Sequence, residues 1–189
     1  AETFALNFGT PGGDALADME TYLNGGDTAH DAARRVEDLA TDSPNRTMWS
    51  SDALAASVPR APKLLCLAGN YAEHIREGGD EAPEKTTTTP RVFMKPPTTT
   101  MVAHEKSIII PPNGVFTDWE AEIAIVIGKS AKFISADEAY DYVAGYTAVN
   151  DVSERELMVK YSRLDRDGDE WFDWLNGKWF DTFAPVGPC

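Results

Sequence analysis

Residues 118–129 read DWEAEIAIVIGK, and their alternation decides the fold class. In a strand, side chains two positions apart point the same way. Glu120 and Glu122 therefore share one face with Ala124 and Val126, while Ile123, Ile125 and Ile127 line the other. The isoleucine row predicts a strand with a buried apolar side. Two carboxylates side by side next to an apolar run repel each other and lose hydration. Something positive should compensate for them.

The chain has 189 residues, enough for one ordinary domain and a small extra lobe. Its 42% hydrophobic and 25% charged content is that of a globular protein rather than a disordered one. The net charge of -14, from 31 acidic and 17 basic residues, disfavours nucleic-acid and anionic-membrane partners. The acids are spread along the chain and do not form a tail, so most read as a solvated surface, one that would also suit a salt-loving source. No stretch approaches the ~18 apolar residues of a membrane span. The start, AETFALNFGTPGG, lacks the basic and apolar segments of a signal peptide. Cys66 and Cys189 make no disulfide framework, so reduced thiols and a cytoplasmic location are expected.

Residues 1–60 read as a small, mainly helical segment. Asp14 is placed as an N-cap and Gly25 as a helix stop, and TAHDAARRVEDLA follows at helical spacing. The prolines and turn residues of TDSPNRTMW and SVPRAP put a boundary near Arg60. From there the texture is mixed α/β and mostly β. KLLCLAG predicts a buried strand, NYAEHIREGG one or two helical turns, and RVFMKP and KSIIIPP short strands stopped by prolines. Residues 119–127 are the long strand, and AGYTAVND is another. Ser135 with Glu138, and Ser153 with Glu156, have capping-box spacing, which predicts helices opening there and just after Asp151.

Three groups of residues could carry chemistry. Glu120, Glu122 and Asp151 lie at strand positions and are the hard oxygen donors that hold Mg²⁺, Mn²⁺ or Ca²⁺. A solvent-facing polar strand face explains the glutamates equally well, and helix capping explains Asp151. Tyr71, His74 and Glu77 are spaced by three and share a helical face; a carboxylate beside an imidazole fixes its tautomer and raises its basicity. Taken alone, H-x-x-E more often marks an exposed turn, and His30 and His104 read as exposed residues without a role. Lys178, in NGKWFDTFAP, could bind an anion or stabilise an enolate, although a surface lysine is the usual outcome. Trp171, Trp174, Trp179, Phe180 and Phe183 read as core or interface packing.

From about Lys63 onward the chain resembles the fumarylacetoacetate hydrolase family. The matching blocks are GNYAEHIRE at 69–77, PRVFMKP at 90–96, DWEAEIAIVIGK at 118–129, GYTAVNDVSER at 145–155 and GKWFDTFAPVGP at 177–188, in the family's order. The resemblance implies a coiled β-roll, often dimeric, with 1–60 as an extra N-terminal segment. It implies Glu120, Glu122 and Asp151 as ligands of Mg²⁺ or Mn²⁺, with Ca²⁺ a third option. It implies His74 and Glu77 as a water-activating dyad on a segment that closes over the site. Tyr71, Arg155 and Lys178 would contact the substrate, with Lys178 also catalytic. The family often has Gln three residues after the Arg of D-V-S-x-R, where this chain has Met158. The family's domain also runs past the point where this sequence stops, so 61–189 is expected to be its N-terminal part.

The expected activity is metal-dependent hydrolysis of a C–C bond in an acylpyruvate, fumarylpyruvate or related 1,3-dicarbonyl or 2-oxo acid. Water activated by His74 and Glu77 would attack a carbonyl, and a metal-bound enolate would leave. A decarboxylase, tautomerase or dehydratase sharing that enolate is the nearest alternative. A non-catalytic member acting as a binding or structural subunit is the third. The expected partners are a small-molecule substrate and a second copy of the chain, with no nucleic acid and no membrane.

Overall fold

The computed structural model describes residues 16, 18–41, 56–58 and 61–187. Asp14 and Cys189 lie outside them. The first described elements are α1 (Met19–Asn24) and α2 (Gly26–Thr41). Asp18 caps α1, its Oδ1 accepting the Thr21 N–H at 2.8 Å, and Gly25 closes the helix. Ala32 and Val36, one turn apart on α2, pack with Leu16, Tyr22 and Ala33 into a small cluster.

The remaining elements are β1 (Leu64–Ala68), α3 (Ala72–Glu77), β2 (Arg91–Lys95), α4 (Pro97–Thr100), β3 (Met101–Val102), β4 (Thr117–Asp118), β5 (Ala121–Ile127), a 3₁₀ turn (Ala136–Tyr142), β6 (Val143–Asn150), β7 (Ser153–Glu154), a second 3₁₀ turn (Met158–Tyr161), α5 (Asp169–Lys178) and β8 (Ala184–Pro185). The fold is mixed α/β. Among the described residues the strands form four two-stranded sheets, with β1–β2, β4–β7 and β5–β6 antiparallel and β3–β8 parallel. The longest pairing, β5–β6, runs from Ala121↔Asn150 to Val126↔Gly145 and then shifts register at Val126/Ile127. The capping box at Ser135 and Glu138 forms, and it opens a 3₁₀ turn.

Several expectations need correction. The isoleucine face of β5 is not buried: Ile123, Ile125 and Ile127 are 72%, 58% and 59% exposed, because no described residue covers them. The half-buried side is the one bearing Glu122, Ala124 and Val126. β1 is likewise covered on one side only, with Leu65 and Leu67 exposed. KSIIIPP is not a strand. Its Ile109 N–H donates to the Thr182 hydroxyl at 2.8 Å rather than to a ladder, and Pro111 and Pro112 supply no donors. No helix opens after Asp151, where Ser153–Glu154 forms β7. Ser153 Oγ lies 2.9 Å from Asp151 O and 3.1 Å from Glu120 Oε1, and the Glu156 carboxylate takes Lys160 at 2.9 Å, so neither half of the expected capping box is available.

Glu154 organises this region. Its buried carboxylate accepts from Val115 N, Phe116 N, Thr117 Oγ1 and Glu156 N at 3.0, 2.6, 2.6 and 3.1 Å. Burial pushes this acid up, but the hydrogen bonds together hold it below the ordinary glutamate range. Helix α5 presses on the same place. A Cβ at Gly177 would lie 2.2 Å from Glu154 O, so only glycine lets α5 approach β7 this closely. Trp174 of α5 meets Phe93 of β2 edge-on at 4.8 Å and stacks on Trp171 at 5.1 Å, while Phe183 is fully buried. Trp171 itself is half exposed, so the aromatic run only partly packs as core.

Candidate active site

The β5–β6 register builds the site. Ala121 pairs with Asn150, which sets Glu120 and Asp151 opposite each other just beyond the ladder. Asp151 N donates to Glu120 O at 2.9 Å, and Glu120 N donates to Asn150 Oδ1 at 3.0 Å. Glu122 follows on the same face of β5. The charge of Glu120, though not that of Glu122, is compensated by cations from distant parts of the chain. Lys178, buried at the end of α5, donates to Glu120 Oε1 at 2.9 Å and Asp151 Oδ2 at 2.8 Å. Lys95, at the end of β2, donates to Asp151 Oδ1 at 2.5 Å and Val152 O at 2.8 Å. Arg155 reaches Glu120 Oε1 at 2.8 Å and Asp118 Oδ2 at 3.2 Å. The Lys178 ammonium also lies 5.3 Å from the Phe93 ring centre and 5.4 Å from that of Trp174.

Glu122 is the least compensated of the three acids. Burial raises its pKa, and the like charges of Asp151 and Glu120 push the same way; a hydrogen bond from the Tyr71 hydroxyl and the charge of Lys178 oppose them. Burial lowers the pKa of Lys95 against the pull of Asp151. Burial also drives the Cys66 thiol up to about 12, which makes it a poor nucleophile.

The structure thus brings Glu120, Glu122, Asp151, Tyr71, Arg155 and Lys178 together. Tyr71 occupies the N-cap position of α3, and its hydroxyl is near enough to Glu122 for burial and that carboxylate to raise its pKa. His74 and Glu77 lie on α3 itself, both exposed, with Nδ1 and Oε2 3.7 Å apart. His30 and His104 are also exposed, His30 against Tyr22 at 5.3 Å and His104 beside Glu105 at 3.8 Å. An open cavity of about 760 Å³ borders Lys178, Arg155 and Ser153 and extends past Trp174 towards Lys160 and Arg163.

The donor chemistry of Glu120, Glu122 and Asp151 fits a hard divalent cation. Among the described residues, however, no three His, Cys, Asp or Glu side chains close on a common point, and the Lys178 ammonium stands between two of the acids. The sequence reading missed Lys95 and Ser153. Lys95 alternates with Phe93 on one face of β2, and a lysine on the buried face of a strand requires an acidic partner. That was the available signal.

Comparison with known proteins identifies the family. The fumarylacetoacetate (FAA) hydrolase C-terminal family profile matches residues 63–189. The mitochondrial oxaloacetate tautomerase of Rattus norvegicus is 39% identical over 171 residues, which is 90% of this chain and 49% of that protein. The crystal structure of 2-hydroxyhepta-2,4-diene-1,7-dioate isomerase from Mycobacterium marinum superposes with a TM-score of 0.53 at 34% identity, over 71% of this chain and 43% of that one. The fumarylacetoacetate hydrolase of Exiguobacterium antarcticum gives 0.52 at 27% identity, over 71% and 44%. The chain therefore spans about half the length of the curated relatives it matches.

Proposed function

The chain belongs to the fumarylacetoacetate hydrolase family, and we propose that it forms part of an enzyme that shifts a proton in a 2-oxo acid, as a keto–enol tautomerase or isomerase. The observation that carries this reading is the Lys178 ammonium held between Glu120 and Asp151. A tautomerase needs fixed positive charge where an enolate oxygen develops and a base that can return the proton it takes. The tautomerase and isomerase names of the relatives point the same way.

Glu120, Glu122 and Asp151 would hold Mg²⁺ or Mn²⁺, which when bound supplies Lewis-acid polarisation of the substrate's oxo and carboxylate oxygens. Lys178 adds positive charge beside the oxygen that becomes anionic as the α-carbon loses its proton. Arg155 receives the substrate carboxylate. Glu77 faces His74 Nδ1, which leaves Nε2 free to take a proton from one substrate atom and return it to another. No water is consumed. Tyr71, at the start of α3 and beside Glu122, links the helix carrying that base to the acidic face.

A second reading, C–C bond hydrolysis, is favoured by the exposure of the His74–Glu77 pair. His74 would then take a proton from water, the hydroxide would add to a carbonyl, and the electron pair of the broken C–C bond would remain on the enolate until protonated. A coiled β-roll to which 61–189 contributes the N-terminal part, a boundary near Arg60, a homodimer and a cytoplasmic location complete the proposal. No helix among the described residues is long and apolar enough to cross a membrane.

The complete polypeptide, with Mg²⁺ or Mn²⁺, should be assayed on enol-oxaloacetate, acylpyruvates and sugar-derived 2-oxo acids. Glu122→Ala should lose both metal binding and turnover; His74→Ala should keep metal and lose proton transfer. Full metal-dependent activity in Glu122→Ala would sink the assignment. Faster cleavage of an acylpyruvate than ketonisation of enol-oxaloacetate would transfer the reading to hydrolysis.

A further inference from the structure

We infer that Lys95 is a positioning residue, one that fixes the rotamer of Asp151 and docks the β1–β2 hairpin, with the helix bearing His74 and Glu77, onto the acidic site. Its role in turnover rests on the tautomerase reading above. Lys95 is fully buried, and both of its acceptors belong to one dipeptide, Asp151–Val152. That dipeptide is already pinned through its N–H groups, Asp151 N to Glu120 O and Val152 N to Phe183 O. The last free motion of Asp151 is rotation of its carboxylate. Lys95 on Oδ1 and Lys178 on Oδ2 oppose it from two sides, so any rotation breaks a charge-assisted bond.

Charge balance alone does not explain Lys95. Lys178 already sits on Asp151, yet Lys95 goes to that same carboxylate and to Val152 O rather than to Glu122, the least compensated of the three acids. What Lys95 adds is geometry. It ends β2, whose partner β1 leads within four residues into α3. β2 also meets α5 and the residue after it through Phe93 on Trp174, Phe93 under Lys178, and the Trp179 indole N–H to Met94 O at 2.8 Å. Lys95 adds an ionic tie from the same strand to Asp151, beside those contacts.

The test uses Lys95→Met and Lys95→Ala in the complete polypeptide, with Mn²⁺ as the probe. The Mn²⁺ dissociation constant should rise roughly tenfold to a hundredfold, the usual loss when a group orienting a ligand is removed. The kcat at saturating Mn²⁺ should fall while KM changes little, and propylammonium should restore part of kcat to Lys95→Ala. A lysine that only balances charge predicts unchanged or tighter Mn²⁺ binding, and a lysine that binds substrate predicts raised KM with kcat intact; either result overturns the inference. Should both variants fail to fold, the wild-type ammonium resonance decides. A slowly exchanging Lys95 signal that is lost in Asp151→Asn supports the inference, and rapid exchange in the wild type refutes it. If the wild type binds no Mn²⁺, the metal assignment fails separately, and the kcat–KM split and the ammonium signal still judge Lys95.

Discussion

Replacing Lys178 by Met should cost the fold about 3 kcal/mol, at the low end of the ~3–5 kcal/mol typical of breaking a buried ion pair. The ammonium makes two charge-assisted hydrogen bonds, to Glu120 and Asp151, each worth ~1.5–3 kcal/mol. Neither acid is left bare, because Asp151 keeps Lys95 and Glu120 keeps Arg155 and Ser153. The total of about 3 kcal/mol includes the cation–π attraction to Phe93 and Trp174 that methionine loses, ~1–2 kcal/mol for a buried ammonium. At ~2–4 °C per kcal/mol for a chain of this size, Tm should fall by roughly 6–12 °C. Urea unfolding followed by tryptophan fluorescence would measure this, with the stability change read from the midpoint at constant slope. Glu120→Gln and the double variant close a cycle whose coupling should exceed ~0.5 kcal/mol, the usual threshold of additivity for non-contacting sites. A single variant within that margin of the parent, or strict additivity in the cycle, would refute the reasoning.

Gly177→Ala should destabilise the protein even though alanine favours helix by ~1 kcal/mol, because its Cβ would fall 2.2 Å from Glu154 O; a raised Tm would contradict the close approach. Glu154→Gln should cost about 2 kcal/mol by turning an acceptor-only group into one with a surplus buried donor, measurable in the same urea titration. The pH dependence follows from the depressed acid of Glu154. Its stabilisation is present above the unfolded glutamate pKa, ~4.3, and is lost as pH falls through the lower folded value. The deficit of Glu154→Gln relative to the parent should therefore shrink only below about pH 4; a deficit that shrinks already at pH 6 would count against the assignment.

The acidic site was half legible in the sequence. Period-two alternation placed Glu120 and Glu122 on one face, and the position of Asp151 at the end of the next long strand made it their neighbour once the two paired. Pairing is a long-range fact, and so is the arrival of Lys95 and Lys178 from β2 and α5. Local pattern reading could propose Lys178 only as one option and passed over Lys95. It failed outright where side chains outcompete the ladder or the helix. Thr182 takes the Ile109 N–H, and Glu154 takes those of Val115, Phe116 and Glu156. The isoleucines misled for another reason, since alternation identifies an apolar face and not what lies against it.

The slip in pairing at Val126/Ile127 works like an expansion joint. A one-residue slide along the whole ribbon would carry Glu120 and Glu122 to the opposite side from Asp151. Because the mismatch is taken up at the far end, beside the exposed connection at 129–141, a change in the length of that connection can be accommodated there. The acidic rungs keep their spacing, which makes the tip of this ribbon the place where loop length can drift without retuning the chemistry.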